Sequence, residues 1–180
     1  MSRLKEKYLK EVVPEMKRIF GYKNYLAVPR LEMVKINAGV GQALRDDKFI
    51  EAVKNTLTRI SGQKPVFTRA KKSVSAFKIR QGMIVGAMVS LRGNRMYDFV
   101  DKLINVALPR VRDFRGLERK GFSKGRSLTI GFREHIAFPE IKADEVEKLH
   151  GFEATIVTTA KSEKEAYELL RLLGFPFRVK

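Results

Sequence analysis

The side chains with the plainest chemistry in this chain of 180 residues are cations. Between Glu51 and Asp98 there is no Asp or Glu, while Lys54, Arg59, Lys64, Arg69, Lys71, Lys72, Lys78, Arg80, Arg92 and Arg95 all fall within that stretch. Soluble proteins usually intersperse both signs, because unrelieved like charge raises the energy of the compact state and attracts polyanions. A run of this length therefore calls for phosphate. The net charge of +17 is also unevenly placed: residues 1–51 hold eleven basic and seven acidic groups, residues 102–133 nine and two, and residues 134–180 seven and nine. The change of sign suits one face for nucleic acid and another for a different partner.

Groups able to perform catalysis are scarce. The absence of Cys excludes a disulfide scaffold, a thiol nucleophile and cysteine-ligated zinc. His135, near Glu134 and Glu140, is the nearest approach to an acid–base set. It lacks a nucleophile at fixed spacing and reads as a surface histidine. His150 precedes Gly151 at an apparent helix end, where a partly cationic ring suits the dipole. Asp46 and Asp47 suggest a metal site, yet they stand where a helix should begin, so capping is the simpler role. Gly39-Val40-Gly41 lacks both the third glycine of a dinucleotide fingerprint and a following Gly-Lys-Ser/Thr, and reads as a plain turn.

Within the acid-free stretch the aromatics are Phe67, Phe77 and Tyr97, too few for a platform that stacks single strands. Phosphate and sugar contacts to a folded RNA fit better, with Asn37, Gln63 and Ser90 available for 2′-hydroxyls or base edges. Composition does not choose RNA over DNA. Two other classes stay open: an RNA-processing enzyme using Asp46, Asp47 or His135, which would need a metal or cofactor, and a DNA-binding architectural protein.

The elements that must position these groups can be read from periodicity. Leu4, Tyr8, Val12, Met16 and Ile19 predict a first helix with Ser2 as cap and Gly21 at its end, kinked or split by Pro14. From Arg30, Val34, Ile36 and Ala38 alternate with Lys35 and Asn37, which predicts a strand with one polar face. Asp46 or Asp47 caps a helix with the stripe Ile50, Val53, Leu57 and Ile60, closed by Gly62. A short strand over 65–68 precedes a long exposed basic loop at 69–81. A largely apolar strand, central in its sheet, covers 83–91. Asn94 caps a helix that Pro109 stops, and residues 110–126 read as loop.

Strands over 127–132 and 153–159 flank a short helix at 144–149, and a last helix has Ser162 and Glu165 as a capping box, Ala166, Leu169, Leu170 and Leu173 as its stripe, and Gly174 as its stop. The sum is an α+β fold in two layers, helices on one face of a largely antiparallel sheet of about five strands, with long basic loops. The length suits a single domain, 1–180. No apolar span is long enough for a membrane and no signal peptide is visible, so a soluble intracellular protein is expected.

Taken in order, Met33-Val34-Lys35-Ile36-Asn37-Ala38-Gly39-Val40-Gly41, Ser61-Gly62-Gln63-Lys64-Pro65, Lys78-Ile79-Arg80-Gln81-Gly82, Leu108-Pro109-Arg110-Val111-Arg112-Asp113-Phe114-Arg115-Gly116 and Phe138-Pro139-Glu140-Ile141 resemble the bacterial large-subunit ribosomal protein five family. The likeness runs through Leu173-Gly174-Phe175-Pro176-Phe177 and covers nearly the whole chain.

The resemblance implies a non-catalytic protein of the central protuberance that binds 5S ribosomal RNA and helps attach it to the large subunit and its RNA. It points to Lys35, Asn37, Gln63 and Ser90 as 5S RNA contacts, with Lys64 and Arg92 on phosphates. It also implies a contact of the Arg69–Arg80 loop, through Arg69, Lys71, Lys72, Ser73, Lys78 and Arg80, with P-site transfer RNA. The remaining contact it implies is an intersubunit bridge to a small-subunit head protein from segments around Val111–Leu117 and Glu134–Leu149, with Arg112, Arg115, Asp144 and Glu145 as candidates. No cofactor, metal or membrane is expected, and off the ribosome a monomer.

Overall fold

The alternation of Val34, Ile36 and Ala38 with Lys35 and Asn37 becomes strand β1 (Leu31–Gly39), in which the first three are buried, Lys35 is exposed and Asn37 half-buried. Five more strands join it: β2 (Val66–Arg69), β3 (Ile84–Leu91), β4 (Phe122–Ser123), β5 (Ser127–Phe132) and β6 (Phe152–Thr158). Their order in the antiparallel sheet is β2-β3-β1-β6-β5-β4. The sixth strand, beyond the five expected, is the two-residue β4, within a stretch read as loop. β3 is interior but stands next to the edge strand β2. Here the chain is described by a computed structural model, covering residues 2–41, 46–123, 126–142, 146 and 148–178.

Contacts divide the chain into two compact units. One comprises Met1–Val34, Leu91–Ile130 and Thr155–Lys180, the other Lys35–Ser90 and Gly131–Ala154. In the second unit the helix α3 (Asp47–Ser61) buries Ile50, Val53, Leu57 and Ile60, and Ile36, Ala38, Ala87 and Val89 are buried on the strands. Asp46 caps this helix, its carboxylate accepting from the Phe49 amide at 3.2 Å, and Gly62 ends it in the left-handed conformation at φ 67°. Phe132, Phe138 and Phe152 pack together, the rings of Phe132 and Phe152 stacked at 4.9 Å.

In the first unit, α1 (Arg3–Lys7) and α2 (Val13–Phe20) are joined by a π turn, Tyr8–Val12. Pro14 neither breaks nor splits the helical run. The Val13 amide donates to the Tyr8 carbonyl five residues back, and this widened turn takes up the missing donor and the bulk of the ring that follows. The same device recurs before Pro109. Between α4 (Gly93–Lys102) and α5 (Leu108–Arg110) lies a second π turn, Leu103–Ala107, with the Leu108 amide donating to the Leu103 carbonyl. The helical run therefore ends at Arg110 and not at the proline.

The cap of α4 also differs from expectation. Arg92 occupies that position without a side-chain bond, and Asn94 lies inside the helix. Ser2 stands at the cap of α1, but its carbonyl rather than its hydroxyl accepts, from the amides of Lys5 and Glu6. The closing helix α6 (Glu163–Leu173) follows the sequence reading: Ser162 accepts from the Glu165 amide at 3.3 Å, and the Glu165 carboxylate accepts from the Lys161 amide at 2.7 Å. Half of the helix expected at 144–149 lies outside the described residues, and the other three, Val146, Lys148 and Leu149, are not helical.

Candidate nucleic-acid interface

Residues that alternate with the buried set on each strand define the open face of the sheet. In the second unit these include Lys35 and Asn37 on β1, Met88 and Ser90 on β3, and Glu153 on β6. Mostly short polar side chains, with one cation, Lys35, and one anion, Glu153, thus alternate with the buried set, which is turned the other way.

Two side-chain amides are tethered, Asn37 on this face and Gln63 in the connection between α3 and β2. Asn37 donates one N–H to the Glu153 carboxylate at 3.2 Å, and Gln63 donates one to the Ser90 backbone carbonyl at 3.3 Å. Gln63 is further fixed through Ser61, whose hydroxyl donates to the Leu57 carbonyl at 2.6 Å and accepts from the Gln63 amide at 3.2 Å. A carboxylate and a carbonyl can only accept, so each tether turns an amide nitrogen inward and leaves the side-chain oxygen to accept from a ligand. Phosphate has no proton to give such an oxygen at neutral pH. A ribose 2′-hydroxyl or a base amino group has one.

Lys35 and Lys64 are exposed in the same unit, and Arg92 is exposed in the other. The Arg92 guanidinium lies 3.7 Å from the Met33 sulfur, a contact too weak to neutralise it. The structure thus gathers Lys35, Asn37, Gln63, Lys64 and Ser90 in the second unit, with Arg92 two residues beyond Ser90. Glu153 was missed. Its alternation was visible in the sequence, but its place beside Asn37 follows from strand order, which was not.

Close approach of three strands supports the surface. A Cβ built on Gly86 of β3 would lie 2.8 Å from the Ala38 carbonyl oxygen and 2.9 Å from the Thr68 hydroxyl, so no side chain fits there. The Val40 amide donates to the Val85 carbonyl at 3.0 Å, and Gly39 is the last residue of β1. Gly39-Val40 is therefore the end of a paired strand rather than a turn.

The loop after β2 is exposed, as expected, but it has its own structure. Val74 and Ile79 form an antiparallel bridge with amide–carbonyl distances of 2.9 and 3.1 Å, around a 3-10 turn at Ser75–Phe77. Ser73 accepts from the Gln81 amide at 2.9 Å, and Arg69 donates to the Gly82 carbonyl at 3.0 Å. Both therefore brace the loop. Lys71, Lys72, Lys78 and Arg80 are exposed. Arg112 and Arg115 are exposed as well, while Asp144 and Glu145 lie outside the described residues.

A family model described as ribosomal protein L5 matches residues 24–80, and one described as the C-terminus of the same ribosomal family matches residues 84–177. The chain belongs to the ribosomal protein L5 family. Proteins named large ribosomal subunit protein uL5 are 54% identical to it over 178 residues in Herpetosiphon aurantiacus, with 99% of each chain covered. Those of Halothermothrix orenii and Caldanaerobacter subterraneus subsp. tengcongensis are 55% and 56% identical over 177 residues, covering 98% of this chain and 99% of theirs. Membership makes the chain a structural ribosomal protein of the large subunit and not an enzyme.

In this member of the ribosomal protein L5 family the groups weighed for catalysis have other employment. Asp46 and His135 do line one cavity of about 660 Å³, together with Phe49, Arg59, Lys148 and His150. Asp46, however, accepts from Lys148 at 2.6 Å as well as from the Phe49 amide, and Lys148 holds its carboxyl below the usual range. His135 is not a surface residue. It is 2% exposed and stacks on His150 with ring centroids 4.0 Å apart.

His150 is not a cationic end-cap either. Burial, then the neighbouring ring of His135, lower its pKa to about 4, and burial lowers that of His135. The Nδ1–H of His150 faces the Gly151 carbonyl at 3.4 Å, and its Nε2 is buried without a partner, so a second proton would be an unsatisfied buried donor. Among the described residues no group of three or more His, Asp or Glu could hold a metal, and no helix is long and apolar enough to cross a membrane.

Proposed function

We propose that the open sheet face binds 5S ribosomal RNA and that the chain thereby helps attach this RNA to the large subunit, next to large-subunit ribosomal RNA in the central protuberance. The observation that carries the reading is the pair of tethered amides, Asn37 and Gln63, each offering an acceptor, with Lys35, Lys64 and Arg92 as exposed cations of the same basic chain. The cations suit phosphates, and the fixed acceptors suit 2′-hydroxyls and base edges. That division of labour favours RNA over DNA, which lacks the hydroxyl. Gel-shift competition tests the choice: 5S RNA should bind in the presence of excess duplex DNA, and displacement by the DNA at equal nucleotide concentration would refute it.

The exposed cations of the 69–81 loop support a second contact, with P-site transfer RNA. Replacing Lys71 and Lys72 by Ala should leave 5S RNA binding intact and weaken transfer RNA binding on assembled ribosomes. The acid-richer last quarter of the sequence suits an intersubunit bridge to a basic small-subunit head protein, and the exposed Arg112 and Arg115 are further candidates for that bridge through the resemblance alone. In this reading the chain is a monomer off the ribosome.

A further inference from the structure

The exposed loop carries an apolar group that the phosphate account leaves unused. Phe77 is 71% exposed, at the tip of the 3-10 turn. Its backbone is held on both sides by the Val74–Ile79 bridge and by the Lys78 amide, which donates to the Ser75 carbonyl at 3.0 Å. Lys78 itself adopts the left-handed conformation at φ 54°, which tightens the turn behind the ring. Burying a Phe side chain is worth about 1.5–3 kcal/mol, and this turn forgoes it. The other two aromatics of the acid-free stretch behave differently: Phe67 is half-buried and Tyr97 is 7% exposed.

The ring's surroundings restrict its partner. Lys71, Lys72, Lys78 and Arg80 are exposed on the same loop, and the sequence holds no carboxylate from 52 to 97. An apolar disc flanked by unrelieved cations matches a nucleic-acid base between its own phosphates. One ring alone cannot sandwich a base or carry a run of them. It can cover a single free face, which bases inside a duplex do not offer but a terminal pair or an unstacked loop base does.

We infer that Phe77 stacks on one exposed base face of the RNA met by this loop while the flanking lysines and Arg80 hold the adjacent phosphates. Which RNA this is rests on the transfer RNA reading above; the stacking contact deepens that reading by naming the chemistry of the contact.

The test is transfer RNA affinity for large subunits reconstituted with variants, as a function of salt. Because Phe77 is exposed, its substitution leaves the core intact, and 5S RNA binding of each variant checks the fold. Phe77→Leu, which keeps apolar area but has no π face, should weaken transfer RNA binding about 5- to 100-fold with an unchanged salt slope. Phe77→Trp should bind as well as the parent or better. Lys71→Ala with Lys72→Ala should lower both affinity and slope. If the lysine variant weakens binding but Phe77→Leu does not, stacking is refuted and the transfer RNA contact stands. If no variant changes affinity, the transfer RNA reading itself fails.

Discussion

The side chain of Asn37 on β1 donates to the carboxylate of Glu153 on β6 at 3.2 Å, across the open face of the sheet. An acid at this point is costly for a surface meant to face phosphate, unless its task is to aim the neighbouring amide. The bond leaves the Asn37 oxygen as a fixed acceptor, and in the proposed reading the charge disfavours phosphate beside it and leaves phosphates to the exposed Lys35, Lys64 and Arg92.

Glu153→Ala should therefore separate affinity from selectivity. Binding to unrelated RNA should rise severalfold as a negative charge is lost, while preference for 5S RNA over that RNA should fall about fivefold as Asn37 is released, on the order of 1 kcal/mol. Filter binding to both RNAs reads the two effects. A uniform rise on both RNAs would assign Glu153 a charge effect alone.

Gly86 is where the sheet has no room. Gly86→Ala should destabilise the fold by about 1–3 kcal/mol, because the new methyl would meet the Ala38 carbonyl and the Thr68 hydroxyl. Urea unfolding reads this as a lower midpoint. An unchanged midpoint would mean that β2 moves aside freely.

The stacked pair His135 and His150 predicts a loss of stability in mild acid. The His150 pKa is lowered from 6.5 to about 4, so the unfolded chain binds the proton first and stability falls as pH drops through about 6.5, levelling off near 4. At about 1.4 kcal/mol per pKa unit the full effect is on the order of 3 kcal/mol. Urea midpoints between pH 7 and pH 5 should fall for the parent and fall less for His150→Phe, which keeps a ring but removes its titration. Equal slopes would show that the ring is solvated.

The repeating patterns were legible because they report burial directly. The alternation around Lys35 and Asn37, the stripe from Ile50 to Ile60 and the cap formed by Ser162 and Glu165 all stand as read. What stayed hidden depends on partners distant in sequence. His135 and His150 look like surface groups until residues fifteen apart are seen to stack. Pro14 reads as a kink or split and Pro109 as a stop because a π turn leaves no sequence period of its own.

The candidate site divides along the same line. Lys35, Asn37, Gln63 and Ser90 could be named from strand parity and the family resemblance. Glu153, which aims Asn37, became visible only once β6 was placed beside β1.

The central claim is that fixed amide acceptors select the RNA while cations supply the affinity. The most direct measurement is the salt dependence of binding to 5S RNA and to an unrelated folded RNA of equal length, for the parent and for Asn37→Ala with Gln63→Ala. The account predicts a steep log–log slope, about −0.9 per duplex phosphate neutralised, that is the same for both proteins, with the 5S preference reduced about tenfold or more in the variant. A flat slope, or equal losses on both RNAs, would contradict it.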